Sequence, residues 1–174
     1  MGNHVHSLSQ RDYNILNADF SLRDRLILNI GVETGLRITD ILNLFRRDIL
    51  SCKPFYIKER KTGKRKRITL TEQTLNLAKM YDKLHHIKHK KKMFINEKTG
   101  KPFTRQAIYY HFAKLRRYCK GLIAPHSMRS TYAKEIFKAQ GLEATRKALN
   151  HDNSKVTKVY LKPNRRKRGS TKKC

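Results

Sequence analysis

The chain is organised around the stretch Thr34-Gly35-Leu36-Arg37-Ile38-Thr39-Asp40, which lies between two apolar helical patterns. Upstream of it, apolar residues recur at four-residue steps behind a serine–aspartate capping pattern, which predicts a helix over Leu22–Val32. Gly35 is a typical helix stop, and Thr39 is a candidate cap for a second helix over Asp40–Phe45. The stretch is therefore predicted to join two helices.

A β-hairpin is predicted further along the chain. Lys53–Lys58 and Arg65–Leu70 have the composition of strands, and they flank the glycine-containing turn Lys61-Thr62-Gly63-Lys64. A third short strand is predicted at Met93–Asn96, closed by the turn Lys98-Thr99-Gly100-Lys101. These segments together predict a small antiparallel sheet of three strands.

The rest of the chain is predicted to be mainly helical. Helices are expected to start at Thr71, to run from Thr104 to about Cys119 and from Ser127 or Met128 to Gln140, and to cover Leu142–Leu149 and Lys155–Leu161. Gly141 separates two of these helices, and no element is predicted for residues 1–20. The predicted fold class is α+β, mostly α-helical with a small antiparallel three-stranded sheet.

The composition predicts a polyanionic partner. The 174 residues include 41 Lys and Arg against 13 Asp and Glu, which gives a formal net charge of +28, and 38% are apolar, enough for one compact domain. There is no run of 18 apolar residues and no signal-peptide core, so we expect no membrane contact and a cytoplasmic location, in the nucleoid or the host-cell cytoplasm. Three scattered cysteines lack the spacing of a disulfide framework or a zinc site.

Four separated pieces of sequence carry residues suited to chemistry as well as to binding. They are Thr34–Asp40, the basic hairpin stretch Lys61–Arg67, His126-Ser127-Met128-Arg129, and Leu149-Asn150-His151 followed nine residues later by Tyr160. Each piece alone is weak, since a single arginine is more often a phosphate contact and a single histidine or tyrosine is more often structural. All four in this order and spacing form a specific pattern.

The pattern resembles the tyrosine recombinase (phage integrase) family over roughly residues 21–162, the length of the family's catalytic domain. In that family a Thr-Gly-Leu-Arg stretch followed by an acid carries the first catalytic arginine, and a Lys-Thr-Gly hairpin carries a catalytic lysine. His-x-x-Arg and then Gly-His with a tyrosine nine residues on complete the set. This chain departs at Asn150, where the family has glycine, and at Ser130, where many members have histidine.

The resemblance implies a site-specific recombinase or integrase that cleaves and rejoins DNA strands through a covalent 3′-phosphotyrosine, with no cofactor, metal or ATP. Tyr160 would be the nucleophile, and a phenol ionises more readily beside cations. Arg37 and Arg129 would donate rigid, permanently charged N–H groups to the phosphate oxygens in the transition state. These roles belong to the family and are carried over by position.

Three further kinds of residue would assist this reaction. Lys61 would protonate the leaving 5′-oxygen, with Lys64 as the alternative general acid. His126 and His151 would hold the phosphate and assist proton transfer, and Asp40 would orient the cationic cluster. Each of these positions matches the family pattern residue by residue, except that the hairpin offers several neighbouring cations for the lysine's role.

Double-stranded DNA and further copies of the chain are the expected partners, the latter as a DNA-induced tetrameric synapse. The predicted DNA-binding residues are Lys58, Arg60, Lys64, Arg65, Lys66, Arg67, Arg105, Arg116 and Arg117. We expect residues 21–162 to be the catalytic domain and residues 163–174 to be a basic flexible tail. Residues 1–20 would be the remnant of, or a substitute for, the family's N-terminal core-binding domain, because only about twenty residues precede the first matched helix.

Other functions remain open at this point. A recombinase-fold DNA-binding regulator without activity would keep the fold and the charge, although it would have no need for the complete catalytic pattern. His4-Val5-His6 fits the metal-binding pair of a class of nickases, but it lies at the terminus and not on a central strand. A ribosomal or chromatin-type basic protein would explain the charge and nothing else.

Overall fold

The computed structural model of the chain describes residues 6–85, 92–115, 118–119 and 123–161. In these ranges the chain forms eight helices and two strands. In chain order they are α1 Gln10–Asp19, α2 Leu22–Thr34, α3 Ile38–Ile41, α4 Arg46–Leu50, β1 Phe55–Lys58, β2 Arg65–Ile68, α5 Glu72–Leu84, α6 Arg105–Leu115, α7 Pro125–Ala148 and α8 Ser154–Leu161. Among the described helices, none combines the length and apolar character needed to cross a membrane.

Helix α2 is the centre of the fold. The Ser21 side chain caps it by accepting a hydrogen bond from the Asp24 backbone N–H, and Gly35 ends it in the left-handed conformation at φ 63°. The predicted helix is thus confirmed, and it runs two residues beyond Val32. Because α1, α5 and α7 all pack against α2, its apolar residues are buried on several sides instead of forming one stripe.

A helix also lies within the first twenty residues, where no element is predicted. Ser9 and Asp12 form a capping box at the start of α1. Leu16 is fully buried and Phe20 nearly so, and both belong to the same core as α2. The Tyr13 hydroxyl donates a 2.6 Å hydrogen bond to a side-chain oxygen on α2. A few well-placed apolar residues are therefore enough to fix this mostly polar helix.

The described sheet has two strands instead of three. β1 pairs antiparallel with β2, beginning with Phe55 opposite Ile68, so the hairpin is confirmed with shorter strands than predicted. The third predicted strand, Met93–Asn96, makes only one isolated bridge, between Ile95 and Pro102. The hydrogen bonds of this bridge join Asn96 to Lys101 and Phe103 to Phe94, and among the described residues the pairing extends no further. The α+β class with mostly helical content is confirmed.

The helix predicted over Asp40–Phe45 is wrong. The chain forms only the single turn α3 there, and α3 begins after Arg37, not after Thr39. Phe45 has extended backbone at φ −80° and ψ 138° and pairs with Lys92 in an isolated antiparallel bridge. A residue held in this way does not continue a helix, so α4 starts as a separate element.

The remaining helices match their predictions closely. α5 begins at the predicted Thr71 cap, and α6 follows Thr104 as expected, with its described part ending at Leu115. The helices predicted on the two sides of Gly141 are continuous in α7 except for a kink at that glycine, where φ is 78° and ψ is −171°. α8 packs against α7, near the second half of the candidate site. Arg116, Arg117 and residues 163–174 lie outside the described residues.

Candidate active site

Close packing of α2 on α7 sets the frame of the site. A Cβ atom added at Gly31 would overlap the Met128 side chain, and one added at Gly35 would overlap the Tyr132 ring. Only glycine therefore allows the two helices to approach so closely at these two points. The approach brings the residues that follow α2 next to the first turns of α7, where Arg129 lies.

Arg129 is the most deeply placed cation of the site, with no exposed surface. Its Nη1 donates to the Gly35 carbonyl at 2.5 Å, and its Nη2 donates to the Leu149 carbonyl at 2.8 Å. Nη2 also lies 3.1 Å from His151 Nε2. Its Nε is buried with no hydrogen-bond partner among the described residues. The guanidinium is thus held rigidly, with donor capacity left over.

His151 is a neutral imidazole in a defined orientation. A guanidinium only donates, so Nε2 of His151 accepts from Arg129 and carries no proton. The ring proton is then on Nδ1, which lies 3.0 Å from Oγ1 of the buried Thr157 and donates to it. Burial, followed by the charges of Arg129 and Arg37, lowers the pKa of His151 to about 4. Arg129 therefore fixes the tautomer of His151, and Thr157 accepts its remaining ring proton.

Asn150, which stands where the family has glycine, fits the backbone it occupies. It has a φ of 55°, one of two positive φ values among the described non-glycine residues. Asparagine tolerates this left-handed conformation better than other residues with a side chain. The backbone N–H of His151 donates to the Arg146 carbonyl at 3.0 Å and closes the turn. The departure therefore leaves His151 in position.

Tyr160 lies on α8 in the middle of the predicted catalytic residues. Its ring centre is 5.0 Å from that of His126 and 5.4 Å from that of His151. The guanidinium carbon of Arg129 lies 5.6 Å from the ring centre of Tyr160. Tyr160 is partly exposed, so its hydroxyl-bearing ring joins the buried cluster to the surface.

Arg37 is anchored by a carboxylate that the sequence analysis missed. Its Nη1 donates to Glu59 Oε2 at 2.7 Å, and the Glu59 side chain has no exposed surface. The Thr62 hydroxyl donates to the same oxygen at 2.9 Å. This ion pair ties the hairpin to the start of α3. Glu59 is the single acid within Lys58–Arg67, and that isolation among cations was the available signal.

Asp40 lies beside this pair and is almost fully buried. Its Oδ1 accepts a 3.0 Å hydrogen bond from the Arg60 backbone N–H, while its Oδ2 has no partner among the described residues. Burial raises the pKa of Asp40, and the nearby Glu59 acts in the same direction, whereas Arg37 and Arg129 oppose them. The position suits a group that balances the arginines without touching bulk solvent.

His126 stands at the open side of the cluster. It follows Pro125, the first residue of α7, and keeps substantial exposure. Burial of its ring lowers its pKa, and the charges of Arg129, Arg37 and Lys61 lower it further. Lys61 itself is exposed in the turn between β1 and β2. The structure thus brings together Arg37, Asp40, His126, Arg129, His151 and Tyr160, whereas Lys61 makes no direct contact with them among the described residues and acts on the cluster through its charge.

The predicted DNA-binding cations of the hairpin fall on two faces. Exposed positions are occupied by Lys58, Arg60, Arg65 and Arg67, and Arg105 is exposed at the start of α6. Lys64 is partly buried and is paired with Asp152. Lys66 points inward, where its ammonium bonds two backbone carbonyls. In the described ranges, no group of three His, Cys, Asp or Glu residues has the geometry to hold a metal ion.

The chain is similar to known proteins over most of its length. A profile of the Phage integrase family matches residues 5–167, almost the whole chain. The chain belongs to the phage integrase family. It is similar to the probable integrase/recombinase YoeC of Bacillus subtilis (strain 168), at 26% identity over 142 residues that cover 80% of this chain and 77% of the relative. A tyrosine recombinase of Thermosipho africanus (strain TCF52B) is 27% identical over 150 residues, 83% of this chain and 51% of the relative.

Solved structures share the fold of this phage integrase family member. XerA recombinase superposes with a TM-score of 0.75 at 18% identity, over 94% of this chain and 62% of that one. XerH recombinase bound to its difH substrate superposes with a TM-score of 0.72 at 20% identity, over 92% of this chain and 51% of that one. A lambda integrase tetramer bound to a Holliday junction superposes with a TM-score of 0.69 at 18% identity, over 95% of this chain and 50% of that one. The chain thus spans about half the length of several proteins it matches.

Proposed function

We propose that this phage integrase family member cleaves and rejoins DNA strands at specific sites through a covalent 3′-phosphotyrosine on Tyr160, without metal or ATP. One observation carries the proposal. Residues from two distant pieces of sequence meet around one partly exposed tyrosine ring, with His126, His151 and Arg129 all within 6 Å of its centre.

The proposed reaction is a transesterification at phosphorus. The Tyr160 oxygen attacks, its bond to phosphorus forms, and the bond from phosphorus to the 5′-oxygen breaks. The tyrosine passes its proton to the neighbouring imidazole of His126, and Lys61 supplies one to the leaving 5′-oxygen. A 5′-hydroxyl later attacks the phosphotyrosine and reverses these steps. The number of phosphodiester-type bonds is unchanged, so no energy source is needed.

The arginines suit the negative charge that develops on the non-bridging oxygens. A guanidinium has five N–H groups, and Arg129 uses three of them on Gly35, Leu149 and His151. Arg129 has no exposed surface and Tyr160 lies against it, so its remaining N–H groups reach a phosphate only when Tyr160 moves aside. Arg37 is partly exposed and bonds Glu59 through one nitrogen. Preorganised donors of this kind stabilise a transition state without reorganising during the reaction.

Double-stranded DNA is the proposed substrate, and a DNA-induced tetramer is the proposed working assembly. The net charge of +28 and the exposed cations of the hairpin favour contact with a phosphate backbone. Two structural neighbours support the choice, one bound to its DNA substrate and one present as a tetramer on a Holliday junction. Arg116, Arg117 and residues 163–174 remain predicted contacts.

A nicked suicide half-site tests the proposal. Its cleavage releases a short fragment, so a phosphotyrosine cannot be religated and accumulates as a protein–DNA adduct on a denaturing gel. We expect wild type and Tyr132→Phe to form adduct, and Tyr160→Phe to bind the same DNA without forming any. Adduct in Tyr160→Phe would contradict the assignment. Binding without adduct by the wild type would favour the non-catalytic regulator, and a Mg²⁺ requirement would favour a nickase.

A further inference from the structure

Lys66 is a cation on the wrong face of its strand for contacting DNA. Along β2, side chains alternate between exposed Arg65 and Arg67 and inward-facing Lys66 and Ile68. In the hairpin, Lys66 is paired with the partly buried Ile57 of β1. A basic residue placed on the inward face of a sheet needs partners inside the protein.

The partners of Lys66 are the carboxyl ends of two helices. Its Nζ donates to the carbonyl of Thr34, the last residue of α2, and to the carbonyl of Ala148, the last residue of α7, each at 2.6 Å. Unpaired carbonyls at a helix C-terminus carry partial negative charge, which an ammonium complements. The Tyr132 ring, 5.0 Å from Nζ, covers the same ammonium.

Arg129 bonds the next backbone carbonyl after the end of each of these two helices. It donates to Gly35, directly after Thr34, and to Leu149, directly after Ala148. Two cations from different elements thus bridge two consecutive carbonyls on each of the same two helix ends. The catalytic candidates follow at once, because Arg37 lies two residues beyond Gly35 and His151 two residues beyond Leu149.

We propose that Lys66 is a positioning residue for strand cleavage, which together with Arg129 sets the spacing between the ends of α2 and α7, and that it is not a phosphate contact. The inference rests on the proposed function, since it concerns the placement of Arg37, Arg129 and His151 around a scissile phosphate. A displacement of about 1 Å in such a site is enough to cost on the order of 10²-fold in rate.

The charge state of Lys66 provides an independent readout. Burial lowers its pKa to about 8, and the facing Arg129 and Arg37 act in the same direction, while Glu59 and Asp40 oppose them. Tyr132, whose own pKa is raised by burial, faces the same ammonium. The ammonium therefore loses its proton as the pH rises through about 8, and its attraction to the two helix ends weakens.

Lys66→Met, Lys66→Arg and the exposed control Lys79→Met test the inference on the full chain, with the suicide half-site at saturating DNA. We expect Lys66→Met to lower the adduct rate between about 10- and 100-fold, with Lys79→Met unchanged and Lys66→Arg recovering most of the rate. The slope of log affinity against log salt should stay at the wild-type value in Lys66→Met. Arg67→Gln removes an exposed cation, so its affinity should fall less steeply with salt, with the magnitude of the slope reduced by about 1.

Three results would overturn the positioning role. The first is an unchanged adduct rate in Lys66→Met. The second is an equal loss of adduct rate in Lys66→Met and Lys66→Arg. The third is a salt slope whose magnitude is smaller by about 1 in Lys66→Met. Should Lys66→Met fail to fold, the pH profile decides. The wild-type rate should fall above pH 8 while that of Lys66→Arg does not, and identical profiles would refute the role. Failure of the proposed function looks different, because then the wild type itself forms no Tyr160-dependent adduct.

Discussion

At the scale of single residues, the two arginines of the site occupy different environments. Arg129 is fully buried and bonds three groups of the protein, whereas the Arg37 side chain keeps 17% of its surface exposed and is held by Glu59. Burying a guanidinium without a direct ion pair is costly, and here the buried carboxylates of Glu59 and Asp40 lie close enough to offset part of that cost. Three of the four buried polar atoms without a partner in the described ranges belong to Arg129, Asp40 and Glu59.

Substitution of either arginine should slow strand cleavage far more than it weakens DNA binding. Arg37→Ala and Arg129→Ala are each expected to lower the adduct rate by on the order of 10² or more, the scale for removing a donor to the transition state. Affinity for the half-site should fall far less, because many other cations contact phosphates. Rates at saturating DNA and equilibrium binding measure the two effects separately. Equal losses of binding and rate would show that both arginines are only backbone anchors.

His151 should make the folded state sensitive to acid. Its pKa is about 4 in the folded protein and near the ordinary value of about 6.5 in the unfolded chain, so the unfolded chain binds the extra proton between these values. The free energy of unfolding should therefore decrease as the pH falls from 6.5 to 4. Urea unfolding at several pH values measures this decrease in the wild type and in His151→Gln. Both proteins contain His126, so its similar contribution cancels in the comparison. An equal pH dependence in both proteins would contradict the buried neutral imidazole.

At the scale of elements, the close approach of α2 and α7 depends on Gly35. Gly35→Ala places a Cβ against the Tyr132 ring and also forces alanine to a φ of 63°. Gly100→Ala is a matched control, since its φ is 64° and no atom lies within 4 Å of the added Cβ. We expect Gly100→Ala to cost about 1 kcal/mol of unfolding free energy and Gly35→Ala to cost about 1–3 kcal/mol more, as measured by urea unfolding. Equal costs would mean that the two helices separate freely.

The elements also show what the sequence can and cannot predict. Local signals placed α2, α5 and α8 well, because caps and apolar spacing act within a few residues. The helix predicted through Phe45 is wrong, since a bridge to the distant Lys92 holds that residue extended. The Phe45–Lys92 pairing joins residues far apart in the sequence and therefore leaves no local signal. The strand expected at Met93–Asn96 makes only the single bridge from Ile95 to Pro102.

The candidate site rests on an ordered sequence pattern that a resemblance reveals, and its catalytic roles stay predictions. The structure brings His126, Arg129 and His151 of that pattern close to Tyr160. Lys66 was grouped with its basic neighbours because they are adjacent in sequence, although strand alternation already places it on the opposite face from Arg67. Thr157 had no signal of its own, since its role depends on the His151 ring.

At the scale of the whole molecule, the high positive charge should give strong DNA binding with little preference for sequence. The chain spans about half the length of several relatives, and its exposed cations contact phosphates that any duplex offers. We expect this chain, tested alone at about 0.2 M salt, to prefer its specific duplex over random duplex by less than roughly 10³-fold. Competition binding measures the ratio. A larger ratio, or efficient exchange between two intact sites, would mark the chain as a self-sufficient recombinase.

The residue that becomes linked to DNA decides whether Tyr160 is the nucleophile. The adduct formed on a suicide half-site is digested with trypsin and nuclease, and the peptide that carries the nucleotide is sequenced by mass spectrometry. We expect one linked peptide, beginning at Val159, with a phosphate that joins the Tyr160 oxygen to the 3′ end of the DNA. A link to another tyrosine, to a 5′ phosphate, or to no residue at all would contradict this assignment.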